Sequence, residues 1–111
     1  MQTENAVRIS EILSNKPLAV TFDKTYNTVF AVGQYQNGRV AVQLVDAKTS
    51  EPFATLTVNI PQATVSDKEI IVKTWTENEP VARAALESGL FQDTGKRIPT
   101  GFSQAQIWKV I

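Results

Sequence analysis

The stretch "QDTGKRIPTGF", Gln92 to Phe102, decides how the C-terminal third of this chain folds. It crowds two glycines, a proline, two threonines and the adjacent cations Lys96 and Arg97 into eleven positions. One reading makes it a phosphate-gripping loop, the other a turn between a helix and a last strand. A Walker-type loop needs G-x-x-x-x-G-K-[ST] between a strand and a helix, so that backbone N–H groups point at the anion. Here five residues separate Gly89 from Gly95, Arg97 stands where the magnesium-holding Ser or Thr belongs, and the segment follows a predicted helix. The phosphate loop fails on spacing, chemistry and context. In the turn reading, Thr94–Gly95 reverses the chain and "IPTG" places Pro99 and Gly101 as a type I turn prefers them. Lys96 and Arg97 then project from a rigid tip that suits a phosphate or a carboxylate.

The helix before it is "TENEPVARAALESGL". Pro80 falls in the first turn, where its missing N–H costs little. Glu77 and Glu79 sit near the positive end of the helix dipole. Val81, Ala82, Ala85 and Leu86 make an inward stripe, and Glu79–Arg83–Glu87 offers two i,i+4 pairs on the outer face. Gly89 followed by Leu90 is a Schellman-type stop. A helix near Asn78–Ser88 follows. Upstream, "EIIVKTW" (Glu69–Trp75) reads as a strand; downstream, "FSQAQIWKVI" supplies a final strand near Phe102–Val110.

The N-terminal half changes period from helix to strand. In "TENAVRISEILSNKP", Ala6, Ile9 and Leu13, with Val7 and Ile12, recur at helical spacing; Thr3 or Asn5 can cap the start, and Asn15 with Pro17 ends it. Residues 1–16 are thus a helix or an arm. "LAVTF" then alternates Leu18, Val20 and Phe22 inward, and "TVFAVGQYQ" follows. Asn37–Gly38 is a hairpin signal of the type I′ kind, in which both residues take positive φ. "RVAVQLVDA" and "FATLTVNI" complete a meander from Leu18 to Ile60, with Val40, Val42, Leu44, Leu56, Val58 and Ile60 inward and Thr55, Thr57 and Asn59 outward. Short connections make the pairing antiparallel. The expected fold is α+β: an antiparallel sheet of five or six strands with an N-terminal helix and a second helix, in one domain spanning residues 1–111.

Composition restricts the chemistry. The 111 residues contain no cysteine and no histidine. Disulfides, thiolate metal sites, cysteine nucleophiles and the commonest general base are thereby removed. Serine triads and zinc hydrolysis lose their central residue. No metal site or cofactor is expected, and Glu77 with Glu79 is the one acid–base pair to weigh against an enzyme-free reading. Eleven basic and eleven acidic residues cancel, but unevenly. Residues 61–93 carry three basic and six acidic side chains, and from Thr94 onward Lys96, Arg97 and Lys109 stand with no acidic side chain. Such a dipole can orient an encounter with a charged partner. No apolar run approaches a membrane span of roughly 20 residues, and the N-terminus lacks the order of a secretion signal. The expectation is a cytoplasmic protein with no membrane contact.

"EPFATLTVNIP" (Glu51–Pro61) and "DTGKRIPTGF" (Asp93–Phe102) together resemble a family of small domains of unknown function carried by plasmids, conjugative elements and bacteriophages. Members show a strand like "PYATLTVNLP", a helix, and a "TG…SGF" segment; Thr100–Gly101–Phe102 stands where Ser-Gly-Phe is usual. The resemblance supplies no catalytic residues. It implies a mobile-element accessory protein in a bacterial cytoplasm that binds host machinery, defence systems included. The expected function is a non-enzymatic protein-binding module that inhibits or regulates a host defence system, contacting a host protein through Glu77, Glu79, Glu87, Lys96 and Arg97. The alternatives are a nucleic-acid-binding accessory using Lys96, Arg97 and Lys109 with stacking on Phe53, Trp75 or Trp108, and a carboxylate enzyme on Glu77 and Glu79. A sheet face or edge would also serve self-association as a homodimer.

Overall fold

The computed structural model describes residues 4–101 and 103–111, with Thr76 described by its backbone alone. Two helices and seven strands form, in order, α1 (Glu4–Leu13), β1 (Pro17–Thr21), β2 (Thr25–Gln34), β3 (Val40–Asp46), β4 (Pro52–Thr55), β5 (Glu69–Val72), a 3-10 turn (Thr76–Asn78), α2 (Glu79–Glu87), β6 (Phe91–Thr100) and β7 (Ser103–Val110). The architecture is α+β with antiparallel pairing throughout, as the alternation predicts. The strands divide between a four-stranded sheet, β1-β2-β3-β4, and a three-stranded sheet, β5-β7-β6.

The two sheets are stitched where β4 gives out. Leu56 N–H donates to the Val42 carbonyl (2.9 Å), Lys73 N–H to Leu56 (3.1 Å) and Val58 N–H to Ile71 (3.0 Å). Thr57, expected to face outward, is buried instead. Its hydroxyl accepts the Val42 N–H (3.0 Å) and pairs with the Tyr35 hydroxyl (2.9 Å). A Thr side chain that replaces a ladder carbonyl lets the chain leave one sheet and enter the other without an orphaned donor. That is why the long alternating run 53–60 is only partly strand.

The main core fills the space between sheets and helices, and a smaller buried cluster gathers Ile60, Ala63, Ile71 and Ala105. Ile9 and Leu13 of α1, Val20, Phe30, Val42 and Leu44 of the first sheet, Val81 and Ala85 of α2, and Trp108 and Val110 of β7 belong to the main core. The N-terminal segment is therefore docked, not detached. Asn5, inside α1 and so not its cap, accepts the Lys68 N–H (2.6 Å), and Arg8 pairs with Asp67 (2.6 Å). Thr3 lies outside the described residues. Asn15, in the left-handed region (φ 65°), ends the helix by donating to the Phe30 carbonyl (3.0 Å). In α2, Val81, Ala82 and Ala85 are buried as the spacing predicts, whereas Leu86 stays exposed at the edge of the stripe.

Two local expectations change. The hairpin at Asn37–Gly38 is not type I′, because Gly38 alone takes positive φ (84°). Gly38 N–H donates to Tyr35 (2.9 Å) and Tyr35 N–H to Arg39 (2.8 Å), the pattern of a three-residue loop closed by a left-handed glycine. More consequentially, Gln92–Thr100 is a strand, not a turn. β6 pairs with β7 from Phe91↔Val110 to Thr100↔Ser103, and its register shifts between Asp93 and Arg97. Thr94–Gly95–Lys96 is thus a bulge. Pro99 sits in the ladder opposite Gln104, tolerated because β6 is an edge strand. The reversal falls between β6 and β7; Phe102 lies outside the described residues.

Candidate functional site

Where the sheets part beyond Leu56 and Lys73, a cleft of about 480 Å³ opens between β4 and the start of α2. That volume falls in the roughly 300–1,000 Å³ range of ligand-binding clefts. One wall is aromatic: Phe22, Tyr26 and Phe53, with Ala54 and Thr55. The other comprises Lys73, Trp75, Glu77, Asn78 and Val81.

The aromatic wall is built by a tight turn. Phe22, expected to alternate inward, lies just past β1, where its N–H donates to the Lys24 carbonyl (3.0 Å). Asp23 Oδ1 accepts both the Lys24 N–H (2.9 Å) and the Tyr26 hydroxyl (3.1 Å). The hydrogen bond to Asp23, with lesser help from burial and the Asp23 charge, raises the Tyr26 phenol above its ordinary value. Tyr26 is held as a neutral donor. Phe53 is the residue skipped by the β3–β4 register, which pairs Ala54 with Leu44 and Pro52 with Val45. It meets Tyr26 at 5.3 Å and Phe22 at 5.9 Å between ring centroids, and Phe22 meets Tyr26 at 6.2 Å. Rings this close leave no slot for a cation between them. They present a continuous apolar surface, with the Lys24 ammonium 5.3 Å from the Tyr26 centroid.

The opposite wall is fixed by Asn78, whose side-chain amide donates to the Lys73 carbonyl (2.6 Å). Glu77 is engaged within the chain. The Lys73 ammonium has no ion-pair partner among the described residues. The wall thus offers one uncommitted cation beside an indole.

Lys96 and Arg97 do not form an open basic tip. Arg97 grips Asp93 across the bulge with both guanidinium nitrogens (2.9 and 2.8 Å), and Gly95 N–H closes onto the same carboxylate (2.9 Å). Gly95 has φ 86°, where a side chain would be strained. Lys96 reaches over β7 to Glu69 (2.8 Å to Oε2, 3.1 Å to Oε1), and Glu69 Oε1 also accepts the Ser66 N–H (2.7 Å). Burial pushes the Glu69 carboxyl up, but the hydrogen bonds from Lys96 and Ser66 and the Lys96 charge outweigh it, leaving it below its ordinary value. Arg97, against a smaller opposing burial effect, holds Asp93 low as well.

The acidic residues of α2 are dispersed too. Glu79 pairs with Arg83, and Glu87 adds its charge to the same guanidinium. Of the five expected contact residues, Glu77 alone lines the cleft. Glu79 and Glu87 flank Arg83, and Lys96 and Arg97 brace the second sheet. Among the aromatics, Trp108 is buried with Phe91 (5.6 Å) and its indole N–H donates to Gln106 (2.9 Å). Trp75 and Phe53 reach the cleft. A hollow of about 300 Å³ beside Arg39 and Glu69 carries no comparable open chemistry: Arg39 donates to the carbonyls of Pro61 (3.2 Å) and Ala63. No group of three acidic side chains among the described residues could hold a metal ion. No helix there is long and apolar enough to cross a membrane. Compared with known protein families, curated proteins and solved structures, the chain matches none.

Proposed function

We propose that the chain is a non-enzymatic protein-binding module whose contact surface is the aromatic cleft. One observation carries this reading: Phe22 is 43% exposed against the half-buried rings of Tyr26 and Phe53, at 6.2 and 5.9 Å. A small domain gains nothing for folding by leaving a Phe in water, and clustered exposed apolar groups are what partner surfaces use. Aromatic anchors ringed by polar groups such as Lys73, Glu77 and Asn78 have the composition of binding hot spots. The wider setting is the one implied by the resemblance: a cytoplasmic accessory of a bacterial mobile element or phage, whose target is a host protein, with a defence system as the leading class. Glu77 keeps its place among the contact residues. Glu79 lies at the start of α2 next to the cleft's Asn78, Glu87 lies at the far end of α2 away from the cleft, and Lys96 and Arg97 serve in this reading mainly to hold the second sheet.

The test is affinity capture from nuclease-treated bacterial lysate with the wild type, Phe22→Ser and Phe53→Ser. A stoichiometric protein partner retained by the wild type and lost by both variants is the expected result. A partner bound equally by all three proteins sinks the cleft. Recovery that disappears with nuclease and falls steeply with salt installs the nucleic-acid alternative, because phosphate contacts release counterions.

A further inference from the structure

Resting on the cleft as the contact surface, we infer that its occupant is an extended peptide segment of the partner, added as a strand on the free edge of β4, with an apolar side chain in the aromatic cleft and a carboxylate on Lys73. The argument begins with a ladder that stops short. Residues 56–58 and 71–73 pair in antiparallel fashion through the Lys73–Leu56 and Val58–Ile71 bonds and the Thr57↔Val72 bridge. Beyond Leu56 in one direction and Lys73 in the other, the two chains diverge. β4 runs on as an edge strand paired only with β3, while the chain after Lys73 turns through Trp75 into the 3-10 turn and α2. The cleft is the wedge between them, since Phe53, Ala54 and Thr55 line it opposite Lys73, Trp75 and Asn78.

A guest strand lying in this wedge antiparallel to β4 continues the ladder that Lys73 abandons. Edge strands bind peptides this way: main-chain hydrogen bonds give affinity, and pockets for alternate side chains give specificity. Here those pockets already exist. Side chains on one face of a strand are two residues apart, so an apolar residue seated between Phe53 and Trp75 places its i±2 neighbour on the same wall as Lys73. Lys73 selects that neighbour as Asp or Glu, because its ammonium has no ion-pair partner among the described residues, whereas Glu77 is already engaged. The ten-residue edge strand β6 is blunted by its bulge, by Pro99 and by the paired charges Lys96 and Arg97, the usual defences against strand addition. β4 carries Pro52 at its start but no charge over Phe53–Thr55.

The test uses a defined probe, the acetylated and amidated peptide Ser-Thr-Asp-Thr-Leu-Thr-Ser, titrated into the isotope-labelled wild-type protein and followed by amide and indole NMR shifts. Asp and Leu lie two apart, and the threonines keep the chain extended and soluble. Saturable shifts at Phe53, Ala54, Thr55 and the Trp75 indole are expected. N-methylation of alternate peptide nitrogens, which removes ladder donors on one edge, should weaken binding about tenfold in one of the two phases. The Asp peptide should bind roughly fivefold better than its Asn counterpart to the wild type and equally to Lys73→Gln. No saturable shift at β4, or equal binding by both N-methylated forms, overturns strand addition. Loss of captured partner in Phe22→Ser alongside such a result would leave the cleft as the contact surface and remove only the strand. Retention of the partner by Phe22→Ser removes the cleft itself.

Discussion

Two clusters of three aromatic rings sit in this small fold with nearly the same geometry and unequal access to water. Phe30, Phe91 and Trp108 touch at 5.8 and 5.6 Å with interplanar angles of 61° and 54°. Phe22, Tyr26 and Phe53 touch at 5.3–6.2 Å with angles of 44–72°. The first set is 1–4% exposed and ties α-helical and strand elements of both sheets into one core. The second is only half covered, at a place where the sheets separate: Phe22 is 43% exposed, Tyr26 is half-buried, and Phe53 is half-buried against the edge of that core. Ring geometry therefore does not assign a role; access to water does. The charged groups repeat the lesson. Lys96 and Arg97, conspicuous in sequence, are spent on Glu69 and Asp93, while Lys73, inconspicuous, is the one left over on the cleft wall.

The comparison breaks most visibly in the core. Phe91→Ala or Trp108→Ala should cost about 3–5 kcal/mol, the transfer free energy plus a cavity that the close-packed surroundings only partly fill. Urea unfolding with an unchanged m-value measures this. A loss under about 1 kcal/mol would mean that the two ring clusters are energetically alike and that burial does not distinguish them.

Next in size is the pair that replaces the expected basic tip. Glu69 is 8% exposed at its side chain and Lys96 52%, so removing Lys96 leaves a buried carboxylate with the uncharged donors of Ser66 alone among the hydrogen-bond partners described for it. Lys96→Gln should destabilise by about 1–3 kcal/mol, the penalty for a buried polar group that loses a charged partner. Arg83→Gln, which breaks an exposed i,i+4 pair with Glu79, should leave stability unchanged within the scatter of surface substitutions, because solvent screens such a pair. Equal effects from the two substitutions would show that Lys96 is a surface cation after all.

The same pair sets a pH dependence. Glu69 and Asp93 have folded values below their unfolded ones. Their contribution is therefore fully present above the unfolded carboxylate values, about 4.3 and 3.9, and is lost as pH falls through the lower folded values. Stability should be level in this respect from neutral pH down to about pH 5 and decline below it. Glu69→Gln should flatten part of that decline while lowering the plateau. A decline of unchanged slope in Glu69→Gln together with Asp93→Asn would assign the acid sensitivity to other carboxylates.

How far these roles could be read in sequence depends on whether they are local. The meander, α1 and α2 follow from hydrophobic period and from Pro and Gly placement, signals carried within each segment. β6 was legible only in part: Gly95, Lys96 and Pro99 are turn-like residues, and what makes them strand is β7, which pairs around the bulge. Thr57 looked like an outward Thr because alternation cannot register a hydroxyl that substitutes for a ladder carbonyl. The cleft assembles residues from four separate segments, around 22–26, 53–55, 73–78 and Val81, so no window of sequence contains it. Its one advance signal was Phe53, an aromatic in phase with the outward-read Thr55 and Thr57. The partner of Glu69 lies 27 residues downstream, beyond any helix or hairpin spacing.

The smallest expected change in stability is also the sharpest test of what separates the two ring clusters. Phe22→Ser removes a ring that is already 43% exposed and makes only edge and tilted contacts. Its backbone role in the turn, the N–H donated to Lys24, is kept by any residue but proline. Unfolding free energy should hold to within the scatter of surface substitutions, about 0.5 kcal/mol. Binding should fall by about 2 kcal/mol or more, since an anchor ring gives its energy when it leaves water at an interface. The two measurements must part company for the surface cluster to be functional. If Phe22→Ser instead destabilises the fold as Phe91→Ala does, the outer rings are a second piece of core and the protein's contact surface has to be sought elsewhere.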